Sequence, residues 1–219
     1  MIKAILWDND GVLVDTEAYF FKANQDVLSE LGITLSQEQF IEYSLVKGYG
    51  FCDYLRAGGL TDIDCEPLRI RRNDLYSSYL KTADTLFDGV RETLEKLHGR
   101  YAMGIITSSQ KVHFDIIHEK TGILDYFDFV ITSDECDNTK PHPEPYLKGL
   151  ARAGVLGLEC VAVEDSARGL AAANRAGLRT CLMIPHALSG PDSYRGDYLL
   201  LDSIHQVPRT LQRLESEMI

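Results

Sequence analysis

Polar and charged residues follow four apolar runs of strand length along this chain of 219 residues. These segments supply carboxylates, hydroxyl groups and a lysine, which are side chains that bind metal ions and phosphate groups. They are Asp8 to Gly11, Thr107 to Ser109, Ser133 to Lys140 and Glu164 to Ser166. Because the carboxyl ends of parallel strands meet at one edge of a sheet, we expect the four segments to line one cleft.

The carboxylates of this cleft need a cation, since several negative charges do not coexist at close range without one. Oxygen ligands without histidine or cysteine favour Mg²⁺ over zinc. We expect Asp8 and Asp165 to bind the ion directly, with the main-chain carbonyl of Asp10 as a further ligand. Glu164 is expected to act on the ion through water.

A carboxylate in such a cleft can attack a phosphoryl group. Asp8 is the candidate nucleophile, and water would hydrolyse the aspartyl-phosphate that it forms. Asp10 lies two residues further on, on the same side of the chain, and would act as general acid and then as general base. Lys140 would neutralise the phosphate oxygens, while the Thr107 hydroxyl and the N–H groups of its loop, including Ser108, would donate to them.

The apolar runs predict five strands, and most of them are separated by helices with apolar residues three and four positions apart. This alternation predicts an α/β fold, a doubly wound, Rossmann-like parallel sheet with helices on both faces. The strands are expected at Ile2 to Trp7, Tyr101 to Ile106, Phe127 to Ile131, Cys160 to Val163 and Arg179 to Ile184. The helices are expected at Val90 to Leu97, Val112 to Lys120, Glu144 to Ala153 and Ala167 to Ala176, and a loop at Pro185 to Gly196.

A helical insertion follows the first strand, because no strand pattern occurs before the helix at Val90. We expect a four-helix subdomain at residues 17–83, inserted into a core domain formed by residues 1–16 and 84–219. Its helices are expected at Thr16 to Leu31, after a capping box at Ser36 and Gln39, at Phe51 to Ala57 and at Pro67 to Lys81.

The composition is that of an acidic globular protein. The chain has 22 Lys and Arg against 33 Asp and Glu, a formal net charge of −11, and 45% hydrophobic residues. The negative charge argues against nucleic acid and membrane surfaces as partners. No apolar run reaches the roughly 18 residues of a membrane span, and the first residues do not resemble a signal peptide. We expect a cytoplasmic monomer or homodimer.

The five cysteines are odd in number and scattered, and none forms a C-x-x-C pair. Neither a zinc site nor a redox motif is indicated. We therefore expect every cysteine to be a free thiol in a reduced protein.

The four polar segments resemble the motifs of the haloacid dehalogenase superfamily, in the branch with a helical cap inserted after the first strand. Asp8 to Asp15 fits the first motif, D-x-D-G-x-L-x-D, and Ile105 to Thr107 fits the second, an apolar strand that ends in Thr or Ser. Lys140 to Glu144 resembles the third motif, and Val163 to Ser166 with Gly169 resembles the fourth. The resemblance covers essentially the whole chain and implies this fold and phosphoryl chemistry.

In this branch the cap closes over the cleft, and its loops contact the leaving group. The resemblance therefore implies that substrate specificity depends on residues near the first hinge and in the cap. By position in the sequence, these residues are Thr16, Glu17, Lys47, Gly48 and Tyr49.

Three activities fit these observations. The favoured one is hydrolysis of a small phosphorylated metabolite, such as a sugar phosphate or phosphoglycolate, because the superfamily's dehalogenases and phosphonoacetaldehyde hydrolases lack the aspartate that is Asp10 here. A phosphomutase of the beta-phosphoglucomutase type is the alternative, although its cap arginine is absent, since no arginine follows Lys47 and Gly48 before Arg56. A phospho-ligand binder without turnover is a third hypothesis, but a binder needs no general acid.

Overall fold

A computed structural model describes residues 1–185 and 194–217. The strands are β1 Ala4–Trp7, β2 Ala102–Ile106, β3 Phe129–Ile131, β4 Cys160–Glu164, β5 Thr180–Met183 and β6 Leu199–Leu200. The α-helices are α1 Glu17–Glu30, α2 Gln37–Phe40, α3 Phe51–Ala57, α4 Glu66–Leu80, α5 Val90–Leu97, α6 Lys111–His118, α7 Glu144–Ala153, α8 Ala167–Arg175 and α9 Val207–Glu217. A π-helix, Ile41–Val46, follows α2. Most of the loop predicted at Pro185 to Gly196 lies outside the described residues.

The six strands form one parallel sheet in the order β3-β2-β1-β4-β5-β6. In β1, Ala4 pairs with Ala102 on one side and with Cys160 on the other. The strand order reverses at β1, so the carboxyl ends of β1, β2 and β4 are neighbours at the switch point of the sheet. The predicted doubly wound parallel fold is confirmed.

The apolar runs of the central strands reflect burial on both faces of the sheet. All four residues of β1 and all five of β4 are buried. Leu6 and Ile106 belong to the same buried cluster as Tyr146 and Leu150 of α7. Strands covered on both faces are apolar throughout, whereas a half-exposed strand alternates.

Two elements were not predicted. The strand β6 contains two residues, Leu199 and Leu200, too few to produce a readable alternation. The helix α9 buries Val207, Thr210 and Leu211, so its helical spacing was present in the sequence but was not used. Among the described residues, no helix combines the length and apolar character that a membrane crossing requires.

The chain divides into two compact units, one formed by Met1–Asp15 with the residues from Leu86 onward, and the other by Thr16–Thr85. The second, helical unit contains four α-helices, as predicted, and the π-helix. Aromatic rings fill its core: Phe20 of α1 lies 5.2 Å from Tyr76 of α4 between ring centroids. Phe21 lies 5.2 Å from Phe40.

The prediction that all cysteines are free thiols is wrong. Cys52 of α3 and Cys65, which precedes α4, form a disulfide with their Cα atoms 5.6 Å apart. Their separation of 13 residues matches no metal or redox motif, so the sequence did not indicate the pair. The packing of α3 beside α4 brings the two residues together. Cys160 and Cys181 are free and buried.

Candidate active site

Lys140 bridges two carboxylates at the carboxyl ends of β1 and β4. Asp8 follows β1 directly, and its amide N–H donates to the Val163 carbonyl at 2.9 Å. The Lys140 Nζ atom lies 2.9 Å from Asp8 Oδ1 and 2.6 Å from Glu164 Oε1. All three charged side chains are buried. Ion pairs at this depth are not screened by solvent, so each partner fixes the position of the others.

Asp165 adds a third carboxylate to this cluster. One carboxylate oxygen each of Asp8, Glu164 and Asp165 lies within 4.8 Å of the others. Burial, together with the negative charge of Glu164, raises the pKa of Asp8 well above its ordinary value. One lysine does not neutralise three buried carboxylates, so this donor set fits a divalent cation with oxygen ligands.

Lys140 stays protonated in this setting. Burial by itself lowers the pKa of Lys140, but the charges of Asp8 and Glu164 outweigh burial and raise the pKa above its ordinary value. A positive charge at this place suits the binding of a phosphate oxygen.

Glu164 is held by side chains that the sequence did not connect with it. Its Oε1 accepts a hydrogen bond from the Tyr146 hydroxyl at 2.7 Å in addition to that from Lys140. Its Oε2 accepts from the Ser166 hydroxyl at 3.2 Å. Glu164, the last residue of β4, thus holds the Lys140 side chain in place. The sequence did not predict this role for Glu164.

Two glycines let the backbone approach this acidic cluster. Gly11 has a φ of +84°, and a Cβ atom there would overlap the Asp165 carboxylate. A Cβ atom at Gly169 in α8 would overlap the Glu164 carboxylate. Both motif glycines are therefore needed for close packing, and Gly11 also for its left-handed backbone.

The Asp10 carboxylate belongs to a second group of hydrogen bonds. Its Oδ2 accepts from the hydroxyls of Ser109 at 2.8 Å and Thr107 at 3.1 Å. The Thr107 hydroxyl also accepts from the Ser109 amide at 2.9 Å. The Thr107 proton is therefore directed at Asp10, whereas the sequence analysis assigned it to phosphate. Ser108 lies between them and is exposed.

A buried histidine reaches the same group through Asn9. The Asn9 Nδ2 atom donates to Asp10 Oδ2 at 3.3 Å, so the amide carbonyl of Asn9 is left to accept. The His118 Nε2 atom lies 2.8 Å from that carbonyl oxygen and must donate its proton to it. The His118 Nδ1 atom lies 2.9 Å from the Thr121 hydroxyl, which donates to it. These hydrogen bonds hold His118 as a neutral imidazole, which is linked to Asp10 through the Asn9 side chain.

Replacement of His118 should separate this positioning role from packing. His118→Leu leaves the buried Asn9 carbonyl without its donor, so we expect a loss of about 1–3 kcal/mol in the free energy of unfolding. We also expect kcat to fall about tenfold with little change in KM, because Asp10 loses its support. His118→Gln can replace the Nε2 donor and should restore most of kcat. His98→Gln, at an exposed histidine, is the control; equal kcat values for His118→Leu and wild type would refute the role.

His118 also predicts a pH dependence of stability. Burial lowers its pKa from 6.5 to about 4. Between these two values the unfolded chain binds a proton that the folded chain does not, so stability is complete above pH 6.5 and falls as the pH drops towards 4. The loss amounts to about 3 kcal/mol over this interval. Urea titrations at several pH values should show a flatter profile for His118→Gln; a profile as steep as that of wild type would contradict the prediction.

The predicted specificity residues all lie in the helical unit. Thr16 and Glu17 are buried at the start of α1. Lys47, Gly48 and Tyr49 directly follow the π-helix and are exposed. The Lys47 ammonium pairs with Glu42 at 2.5 Å and lies over nearby tyrosine rings. These contacts are compatible with a surface lysine, and the specificity assignments stay predictions.

The structure brings the predicted core residues together in two groups. The acidic cluster consists of Asp8, Lys140, Glu164 and Asp165. Asp10 lies with Thr107 in a second set of side chains, which are joined by hydrogen bonds from hydroxyl groups. Sequence reasoning missed the supporting roles of Asn9, Ser109, His118 and Tyr146. One signal was available, since His118 continues the apolar face that Phe114 begins, and a histidine on such a face needs a buried partner.

The fold and the site together define a class: α/β proteins with a buried acidic cluster, able to hold a metal ion, at the switch point of a parallel sheet. The chain belongs to the haloacid dehalogenase-like hydrolase family, whose sequence model matches residues 5–183.

Three relatives illustrate this membership. A phosphoglycolate phosphatase of Nitrosospira multiformis is 31% identical over 223 residues, which cover 97% of this chain and 96% of that protein. A beta-phosphoglucomutase of Clostridium difficile superposes with a TM-score of 0.83 at 23% identity, covering 100% of this chain and 99% of that chain. CbbY of Rhodobacter sphaeroides, in complex with phosphate, has a TM-score of 0.79 at 23% identity and coverages of 94% and 96%. The two structural likenesses show the fold, and the family supports hydrolase activity.

Proposed function

We propose that the protein is a Mg²⁺-dependent phosphatase that hydrolyses a small phosphorylated metabolite through an aspartyl-phosphate at Asp8. The observation that carries the proposal is the buried cluster in which Lys140 lies 2.9 Å from Asp8 and three carboxylates share one small volume. A phosphate monoester would bring negative oxygens to Lys140 and a phosphorus atom to Asp8, and the position of Asp8 directly after β1 supports its proposed role as the nucleophile.

Asp8, Asp165 and the main-chain carbonyl of Asp10 would hold the metal. When bound, Mg²⁺ would neutralise the carboxylates and the phosphate oxygens, so that Asp8 reacts as a carboxylate in spite of its raised pKa. Glu164 would act on the ion through water and would keep Lys140 in place. Its own hydrogen bonds to Tyr146 and Ser166 support the second of these roles.

Asp10 would move the proton in both steps. The hydrogen bonds from Asn9, Thr107 and Ser109 to Oδ2 would hold the Asp10 carboxyl in position for this transfer. In the first step Asp10 donates this proton to the leaving oxygen, while the Asp8 oxygen forms its bond to phosphorus. In the second step Asp10 takes a proton from the water that attacks the aspartyl-phosphate and releases inorganic phosphate.

The substrate would be a small metabolite such as phosphoglycolate or a sugar phosphate. Support comes from the phosphoglycolate phosphatase to which the chain is 31% identical over nearly its whole length. Phosphate oxygens would be bound by Lys140 and by Thr107 and Ser108 of the loop after β2, and the Thr107 hydroxyl would turn its proton from Asp10 to the phosphate when the substrate binds. Thr16, Glu17, Lys47, Gly48 and Tyr49 would then select the remainder of the substrate, as expected for a cap.

Release of inorganic phosphate from a panel of substrates tests this proposal. The panel should contain phosphoglycolate, several sugar phosphates and an aryl phosphate, each with Mg²⁺ and with a chelator. We expect release that the chelator lowers at least about a hundredfold, because the metal contributes several kcal/mol to the stabilisation of charge in the transition state. Release that the chelator does not affect, or none from any substrate, would overturn the proposal.

A further inference from the structure

A buried arginine of the helical unit differs from the other arginines there. Arg72, in the middle of α4, is only 8% exposed. Each of the others has a carboxylate partner. These ion pairs are Arg56 with Asp53 at 2.8 Å, Arg69 with Glu66 at 2.6 Å and Arg71 with Glu30 at 2.8 Å. Among the described residues, no carboxylate forms an ion pair with Arg72.

The guanidinium of Arg72 is held by aromatic rings. Its central carbon lies 4.4 Å from the ring centroid of Phe20 and 5.7 Å from that of Phe51. Stacking of this kind orients the guanidinium plane and offsets part of the cost of burying the charge. It leaves the N–H groups, which point outward in the plane of the guanidinium, free to serve as donors.

These donors are poorly used within the part of the chain that the structure describes. One of them, at Nη1, donates to Asn24 Oδ1 over a long distance of 3.4 Å. The Nε atom is buried and has no hydrogen-bond partner among the described residues. A guanidinium offers five N–H donors in a fork that matches the two oxygens of a carboxylate or phosphate. Arg72 therefore keeps most of its hydrogen-bonding capacity unsatisfied.

The charge of Arg72 persists in spite of this burial. Burial lowers its pKa to about 10, which still leaves it protonated at neutral pH. A buried charge without a counter-ion destabilises a protein, and a leucine or methionine would pack against Phe20 and Phe51 without that cost. A packing role alone does not account for an arginine at this position.

We propose that Arg72 is the centre of an oxyanion-binding site in the helical unit, which takes a phosphate or carboxylate group of a small molecule. The group has two possible sources with the same chemistry: a second acidic group on the substrate, or a separate anionic effector. Only the first source rests on the proposed phosphatase function. The binding site itself does not depend on it.

Nuclear magnetic resonance of the full-length protein titrated with inorganic phosphate tests the site directly. The Nε–H resonance of Arg72, assigned from its loss in Arg72→Lys, is expected to shift as phosphate binds. Because this signal reports on Arg72 alone, phosphate bound at the catalytic cluster does not mimic the result. A resonance that stays in place throughout the titration would overturn the proposal, whether or not the protein is a phosphatase.

Two matched variants test whether the fork is needed. The backbone amides of α4 should also report phosphate binding, with an affinity at least about tenfold weaker in Arg72→Lys, which keeps the charge but loses the paired donors. Arg71→Lys, at the neighbouring exposed and paired arginine, should bind phosphate like wild type. Equal weakening in both variants would overturn the assignment to Arg72.

Kinetics then identify the source of the anion. If it belongs to the substrate, Arg72→Lys should raise KM about tenfold for a substrate with a second acidic group and leave KM for a neutral aryl phosphate unchanged. If it belongs to a separate effector, added phosphate should change kcat for both substrates in wild type, whereas in Arg72→Lys it should only raise the apparent KM by competing at the catalytic cluster. A variant with the kinetics and phosphate response of wild type on both substrates would count against a functional site.

Discussion

Asp8→Asn is expected to lower kcat by at least about four orders of magnitude, because the amide cannot form the phosphoryl bond that the proposed mechanism requires. The variant should remain folded. The pKa of Asp8 is raised by burial and by the charge of Glu164, so an ionised Asp8 carries a cost in folding free energy that a neutral asparagine does not. With a chelator present, we therefore expect the free energy of unfolding of Asp8→Asn to equal or exceed that of wild type.

The same variant also tests the metal site. Mg²⁺ should raise the melting temperature of wild type, since it binds the folded state, and should raise that of Asp8→Asn less. Asp125→Asn is a suitable control, because Asp125 is an exposed aspartate in the same unit of the chain. It should match wild type in turnover, stability and response to Mg²⁺. Full activity of Asp8→Asn would refute both the nucleophile and the mechanism built on it.

Lys140→Met is expected to have the largest effect on stability. The variant leaves the carboxylates of Asp8 and Glu164 buried without their shared cation. Loss of one partner from a buried ion pair costs about 3–5 kcal/mol, and urea unfolding with a chelator present should show a loss of this size. We also expect kcat to fall about a hundredfold to a thousandfold, because the positive charge at the phosphate oxygens is lost.

Lys148→Met is the matched control for this prediction. Lys148 pairs with Glu144 at 2.8 Å on α7, but its side chain is 42% exposed, against 4% for Lys140. A pair that solvent reaches contributes less than about 1 kcal/mol, so the control should unfold close to wild type. Similar losses in the free energy of unfolding for Lys140→Met and Lys148→Met would contradict the prediction that the buried ion pairs of Lys140 contribute more to stability than a surface pair.

A double variant separates stability from catalysis. Lys140→Met with Glu164→Gln removes one of the two unpaired charges, so it should recover part of the lost stability. It should not recover kcat, since the lysine is still absent. A double variant that regains activity would assign Lys140 a purely structural role and would contradict its proposed contact with phosphate.

The hydroxyl donors around Asp10 give a physical reason why the carboxylates of Asp8 and Asp10 can have different roles. Asp8 lies among buried carboxylates and a lysine, whereas Asp10 accepts hydrogen bonds from neutral donors, Thr107 and Ser109. Groups in such different surroundings respond differently to a cation and to a bound phosphate. The neutral imidazole of His118 supports Asp10 through Asn9 without adding a charge.

Much of the sheet and of the acidic cluster was predictable from the sequence. Central strands that are buried on both faces appear in the sequence as continuous apolar runs, and the helices between them end at glycines. The order of the elements can therefore be predicted from local sequence patterns. Asp8 and Asp165 follow strands that are neighbours in the sheet. Their meeting follows from parallel topology alone, because parallel strands place their carboxyl ends at one edge.

Other features depended on packing between segments far apart in the chain. His118 and Asn9 are 109 residues apart, and Tyr146 meets Glu164 only because α7 packs across the sheet. The disulfide between Cys52 and Cys65 likewise needs α3 beside α4. No local period encodes such distances, since a helix or strand pattern specifies which face is apolar and not which residue that face meets.

The parallel α/β fold, the helical insertion and the residues that meet at the carboxyl edge of the sheet were thus predictable from the amino-acid pattern alone. Their partners depended on the packing of the folded chain: Thr107 donates to Asp10, Glu164 pairs with Lys140, and Arg72 has no ion-pair partner among the described residues. The reason is physical. Apolar periodicity is a local property, whereas the pairing of buried polar groups is decided by side-chain packing over long sequence distances.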